Sequence, residues 1–271
     1  LKAQHSRVVE IRRKGWKRPQ SIPASANPPM TSAAFAAANA LEPAARLTVS
    51  HDGWRWSNAA GMALSGRRGA SAPVESVTLD GEELGRFNGM VQMSHNGTWS
   101  FVDAAEVVDF RRIGNALAVT ARGGAGKVRF ELDFRITLDE SRPAFLAELA
   151  GLRSIGDIPV VCADILLRQY SPFMDESPSD VPDLWGAPWA AAWFARDGRW
   201  FGACTRSPEI RRFWYWSSHP DAVYAVTPSG TDPLTLKPGE ARTFGGRVWE
   251  LCIGGTKGGR KAFERFVSDF L

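Results

Sequence analysis

Between Trp185 and His219 the chain collects most of its chemically distinctive side chains. Six of the eleven tryptophans lie there, Trp185, Trp189, Trp193, Trp200, Trp214 and Trp216, together with Glu209, Arg211, Arg212, Tyr215 and His219. Indole is costly to leave in water and carries a single polar N–H, so tryptophans gather in cores or on surfaces that grip flat apolar partners. On an alternating strand Arg212, Trp214 and Trp216 share one face, and Phe213, Tyr215 and Ser217 share the other. Two readings are open. In one, Trp214, Trp216 and Arg212 form a stacking surface for the C–H faces of pyranose rings, with Arg212 or Arg211 selecting an acidic sugar through a bidentate contact. In the other, the same side chains fill an aromatic core, and the arginine must pair or reach out to water.

Acid–base chemistry needs a group that titrates near working pH, and histidine is the usual one. His219, followed by Pro220 and Asp221, is a candidate base or donor; its structural alternative is a polar strand-end residue. His95 precedes the Asn96-Gly97 turn with Trp99 just beyond it, so it either shares a cleft with Trp99 or is an ordinary hairpin residue. His51 sits at the Asp52-Gly53 turn, and His5 in the N-terminal arm. Glycoside hydrolysis needs two carboxyls about 5–10 Å apart across a cleft. Glu209, Asp183, Asp164 and Asp221 are nearest in sequence to the aromatic stretch, and spacing singles out no pair. Elimination from a uronate needs a cation and a base, often Tyr or His. Tyr170, Tyr215 and Tyr224 are the only tyrosines, and Arg168 and Tyr170 share a strand face with Asp164. The catalytic candidates are therefore His219, His95, Tyr215 and Glu209. The substrate-binding candidates are Trp214, Trp216, Arg212, Arg211 and Trp99.

Cofactor signals are sparse. The four histidines show no HxH or HExxH spacing, so no transition-metal site is expected. Asp175, Glu176, Asp180 and Asp183 lie in a proline-rich loop over 171–188. These are the oxygen ligands that Ca2+ takes, and a solvated acidic loop is the competing reading. No GxSxG, Walker or dinucleotide-binding pattern occurs in context. Cys162, Cys204 and Cys252 sit in apolar runs without CxxC spacing and read as small core residues.

The 271 residues carry a formal charge of +4, unevenly placed. Residues 1–18 hold seven basic residues and one acid; the rest holds 26 basic and 28 acidic residues. The body is near neutral, so a nucleic-acid partner is not expected. The basic arm is expected to dock on the body or on a second copy, which makes a homo-oligomer the natural partner besides a carbohydrate ligand. No apolar run approaches the ~20 residues of a membrane span, and the opening residues show no signal-peptide core. A secreted or periplasmic location is expected if the chain is a mature form, and a cytoplasmic one otherwise.

The elements that must hold these residues are strands. Residues 1–45 read as a basic, Pro- and Ala-rich arm with a short helix over 31–41. From Arg46 onward, turn residues punctuate alternating runs: Arg46–Ser50 with Trp54–Ser57, Val74–Leu79, Val107–Ile113 with Ala116–Arg122, Lys127–Leu138, Ala144–Leu152, Val160–Tyr170, Trp189–Phe194 with Arg199–Thr205, Ile210–Ser217, Ala222–Thr227, Leu234–Leu236 and Ala241–Ile253. Gly123 to Gly126 reads as a turn. Val128, Phe130, Leu132, Phe134 and Ile136 make one apolar face, and Lys127, Arg129, Glu131, Asp133 and Arg135 the wet one. Residues 258–271 read as an amphipathic helix packed on the body through Phe263, Phe266, Val267 and Phe270. Twelve to sixteen strands without βαβ alternation predict an all-β fold: a large antiparallel two-sheet β-sandwich over 46–257, with short N- and C-terminal helices.

The run "VRFELDFRITLDESRPAFLAELAGL", the junction "RSIGDIPV" and the late "LTLKPGEARTFGGRVWEL" resemble galactose-mutarotase-like supersandwich domains of carbohydrate-active enzymes. The resemblance covers about residues 46–253 and includes no catalytic motif; the histidine and glutamate pair of the mutarotases has no counterpart that can be placed. It implies carbohydrate work, as a glycoside hydrolase, a polysaccharide lyase or a non-catalytic binding module. A purely structural or assembly domain is the third reading.

Overall fold

The computed structural model describes residues 46–95, 97–171, 189–195, 197–205, 210–216, 221–226, 232–244 and 250–270. The expected N-terminal helix over 31–41, the acidic loop, Glu209 and His219 lie outside the described residues.

Alternation of apolar and polar residues makes a strand whose two faces want different solvents, and two sheets facing each other satisfy that demand. The first sheet runs β1 (Arg46–Val49), β2 (Gly53–Ser57), β3 (Met62–Arg67), β4 (Val74–Leu79) and the fourteen-residue β5 (Glu82–His95). β6 (Thr98–Asp103) pairs the distal half of β5. In the second sheet β7 (Glu106–Ile113), β8 (Ala116–Ala125), β9 (Val128–Leu138) and β10 (Ala144–Ser154) follow as a meander. β11 (Val160–Tyr170) returns to the first sheet beside β5. β12 (Trp189–Phe194) and β13 (Trp200–Thr205) extend the second sheet, while β14 (Ile210–Trp216) and β15 (Asp221–Val226) extend the first. β16 (Leu234–Leu236) pairs β11, and β17 (Ala241–Thr243) and β18 (Glu250–Thr256) both pair β10. Every pairing among the described residues is antiparallel.

The expected two-sheet sandwich is thus the observed architecture, with more strands than read from sequence. β3 and most of β5 carry too many Gly, Ser and charged residues to show a clean period of two. Gly123, Gly124 and Ala125 do not turn; they pair with Phe130, Arg129 and Val128, and the turn falls at Gly126-Lys127. Gly123 tolerates this because its missing side chain leaves space for the Phe130 ring and for the Asp103 carbonyl. The run 241–253 is two strands, one on each half of β10.

The core lies between the sheets. Phe134 of β9 meets Phe87 of β5 edge-on, with centroids 5.9 Å apart and planes at 86°. Gly89 beside it has no β-carbon, and one built there would stand 2.5 Å from the Phe134 ring. That glycine lets the two sheets approach at their centre. A second cluster forms on the outer side of the second sheet. There α1 (Gly259–Phe270) lays Phe263 and Phe266 on Trp200, with centroids 5.2 and 5.1 Å away. Trp200 is therefore core and not ligand surface. Among the described residues no helix is long and apolar enough to cross a membrane.

All three cysteines are buried. Cys204 and Cys252 are direct cross-strand partners on β13 and β18, within the cluster under α1. Burial, and secondarily the Asp164 carboxylate, raise the Cys162 thiol well above its ordinary range, so it stays protonated and is no nucleophile. Native protein is expected to react very slowly with an aromatic disulfide reagent and to yield all three thiols only in denaturant. Rapid native labelling of any of them would contradict their place in the core.

Candidate functional site

In an antiparallel ladder directly paired residues share a face, so register converts sequence into rows across the sheet. On the first sheet Phe87, Val91 and Met93 of β5 point into the core. The alternate residues Arg86, Asn88, Met90, Gln92 and Ser94 therefore belong to the outer face. Trp99 pairs with Ser94, and Phe101 with Gln92, which itself pairs with Asp164. Asp103 pairs with Met90, which pairs with Leu166. Arg168 pairs with Asn88, and Tyr170 with Arg86. These rows make a strip down the outer face from Trp99 to Tyr170. It spans eight residues of β5, about 27 Å at ~3.4 Å per residue.

The strip is aromatic at one end and cationic at the other. Trp99 and Phe101 are 44% and 43% exposed, among the few large apolar side chains left in water. Halfway along, Arg168 Nη1 lies 3.2 Å from Asp103 Oδ1, a half-exposed pair that fixes the guanidinium across strands. At the far end the exposed Arg86 guanidinium lies over the Tyr170 ring, 4.4 Å from its centroid. Asp164 is only 4% exposed, and Met90 and Leu166 beside it are buried as well. The arrangement offers two stacking surfaces at one end and cations with a phenol at the other, with buried Asp164, Met90 and Leu166 between the two ends.

The sequence candidates divide on this frame. Trp216 pairs with Asp221, which pairs with Tyr170; Trp214 pairs with Val223, which pairs with Arg168. Arg212 pairs with Ala225, which pairs with Leu166. All three thus occupy register positions in the rows of the outer strip. Arg211 stands at a break in register between Ile210 and Arg212. Tyr215 is in another row, through Ala222 and Gln169 to Phe87, which belongs to the core side. His95 continues the inward series of Val91 and Met93. Its ring fills the space that a β-carbon on Gly126 would need, a position opened by that glycine's φ of +58°. It therefore lies on the opposite side of the sheet from Trp99, and the structure does not bring the two together.

No protein-family profile matches this chain, and neither does any curated protein. Similar solved structures include the Slr1438 protein from Synechocystis, at 10% identity and a TM-score of 0.45, covering 80% of this chain and 96% of that one. A galactose mutarotase related enzyme from Lactobacillus acidophilus is another, at 8% identity and a TM-score of 0.38, covering 80% and 98%. Activity at such distance has to be argued from the site.

Phe101, Asp103 and Arg86 were not among the sequence candidates. They sit on strands remote in sequence from β11, and only pairing places Asp103 against Arg168, Arg86 over Tyr170 and Phe101 in the row of Asp164. The one local signal was the alternation of Trp99 with Phe101 after the Asn96-Gly97 turn. Among the described residues no group of three or more His, Cys, Asp or Glu is placed to hold a metal ion.

Proposed function

We propose that this chain is a carbohydrate-active protein that lays an acidic oligo- or polysaccharide along the outer face of the first sheet and cleaves it by β-elimination. The observation that carries this reading is the strip itself: exposed Trp99 and Phe101 in line with Arg168, Arg86 and Tyr170. Pyranose rings stack on the aromatic end, and the guanidinium of Arg86 takes the carboxylate of a uronate at the other. Tyr170, acting as its phenolate, takes the proton α to that carboxyl and becomes the phenol. The C–H electron pair becomes the new double bond, the β C–O bond to the leaving sugar breaks, and the leaving oxygen receives the proton back from the phenol. Trp214, Trp216 and Arg212 extend the same surface in this reading, and His219 is the alternative base.

Elimination is preferred to hydrolysis because Asp103 is held in an ion pair by Arg168 and Asp164 is buried, so the described part of the strip presents no pair of exposed carboxyls for the two-acid mechanism of a glycosidase. A binding-only module is the second reading, supported by the engagement of Arg168 with Asp103. Incubation with pectate and alginate separates the readings. Elimination produces an unsaturated uronide that absorbs in the ultraviolet, while hydrolysis raises reducing ends without that absorbance. Binding with neither product identifies the module, and absence of binding and turnover on all acidic polymers ends the proposal.

A further inference from the structure

Beyond Arg86 the outer face of the first sheet continues across β4, β3, β2 and β1. Register defines one row that starts at the cationic end of the strip. Tyr170 pairs with Arg86, and Arg86 lies opposite the register break between Val74 and Val77, which holds Glu75 and Ser76. Ser76 pairs with Ser65, Ser65 with Arg55, and Arg55 with Thr48. The neighbouring row is Glu83, Thr78, Ala63, Ser57 and Arg46. Trp54, Trp56, Leu64 and Val77 alternate with these residues and are buried in the core, so both rows face outward. We propose that Arg55, with Arg46 beside it, holds the carboxylate of a second uronate, three units along the chain from the one that Arg86 takes. The substrate is then a run of acidic sugars and not a neutral chain with a single uronate. This inference rests on the strip being the ligand surface.

The cations of this face are available. Arg46, Arg55 and Arg86 are exposed, and none of them has a carboxylate partner among the described residues. The acids are fewer and engaged. Glu75 is held by Arg67 Nε at 3.1 Å, and Glu83 accepts a hydrogen bond from Ser76 Oγ at 2.6 Å. From β1 to the first half of β5, Arg46, Arg55, Arg67 and Arg86 thus stand outward against Glu75 and Glu83, which leaves the face net positive. Arg86 on β5 and Arg55 on β2 are three strand spacings apart, about 14 Å at ~4.8 Å each. A small anion cannot touch both. A pyranose unit advances a chain by close to one strand spacing, so one sugar lies over each strand crossed. A carboxylated chain with three units per turn shows the same side to Arg86 and again to Arg55.

The ground between the arginines decides the kind of polyanion. Bases need aromatic faces to stack on, and neither row holds one between Arg86 and β1. The rows offer the half-buried hydroxyls of Ser76, Ser65, Thr78 and Ser57 instead. A hydroxyl both donates to and accepts from the hydroxyls of a sugar. Arginine takes a carboxylate through two parallel N–H···O bonds, so two arginines fixed on strands select acidic groups at a matching interval.

The test is calorimetric titration of galacturonate oligomers of increasing length into the Tyr170→Phe protein, so that a chain cut through Tyr170 stays whole. Affinity is expected to rise once an oligomer reaches from Arg86 to Arg55. Adding Arg55→Ala should remove that rise and weaken the longer oligomers about tenfold, the usual order for a lost hydrogen bond between charged groups. Arg55→Lys should recover part of the affinity, since it keeps the charge and loses the fork. Arg55 is exposed, so the melting temperature should hold. Oligomers whose carboxyls are methyl esters give Arg55 no charge to hold and should bind equally with and without it. The proposal is overturned if Arg55→Ala leaves the long acidic oligomers unaffected while Arg86→Ala weakens them. It is also overturned if Arg55→Ala weakens the esterified oligomers as much, or if single-stranded DNA binds as tightly at equal salt. Binding that ignores Arg86→Ala and Trp99→Ala, or no binding at all, is instead the failure of the strip, and this inference falls with it.

Discussion

Phe134→Ala is expected to cost about 3–5 kcal/mol of unfolding free energy. The side chain is 1% exposed and is the point where β9 touches β5 through Phe87 and Gly89. Removing the ring deletes its transfer free energy and opens a cavity that Gly89 cannot fill, because it has no side chain to move. The two sheets would have to shift as bodies to close it, against the close packing around them. Urea unfolding followed by tryptophan fluorescence measures the loss. Arg135→Ala, one residue along and half-exposed in its pair with Glu148, should cost below about 1 kcal/mol. If the two variants unfold at similar denaturant concentrations, Phe134 is not the contact that joins the sheets.

The second large effect is catalytic. Tyr170→Phe is expected to lower kcat on an acidic polysaccharide by about 10²–10⁴-fold, the usual worth of a positioned acid–base group. KM should move little, since the ring that carries the Arg86 contact remains. Arg86→Ala should instead raise KM and lower kcat together, because the carboxylate loses its cation in both ground and transition states. Trp99→Ala should act on KM alone. Its indole is exposed near the tip of the β5–β6 hairpin, so the melting temperature should hold. A Tyr170→Phe protein with wild-type turnover would move the base to His219 or remove elimination from the proposal.

Legibility from sequence followed the range of the interaction. The hairpins at Asp52-Gly53, Gly114-Asn115 and Asp197-Gly198 were readable because a tight turn between two alternating runs is a local event. β9 and β11 were readable to within a residue, and the amphipathic spacing of Phe263 and Phe266 foretold that α1 would pack on the body. The Gly123–Ala125 segment was misread because glycine mimics a turn in sequence while its real use here is close approach. For the site, the sharing of one face by Asp164, Arg168 and Tyr170 was visible within a single strand. The grouping of His95 with Trp99 rested on their closeness in the chain. In a hairpin such closeness says nothing about which face each residue occupies.

By itself the sequence determined the period of two in most of the strands, the apolar face of β9 and the burial of Cys162, Cys204 and Cys252. It also determined that the net positive excess lies in the first 18 residues, with charge nearly balanced elsewhere. Only the tertiary structure decided which strands are neighbours. That choice put Asp103 against Arg168 across 65 residues of sequence, laid Arg86 over Tyr170, and set Trp200 under α1 while leaving Trp99 in water. The reason is physical. Alternation is imposed on each strand by its own backbone geometry. Partner choice between distant strands is settled by the joint packing of both sheets, where Gly89 admits Phe134 and no local pattern records the fit.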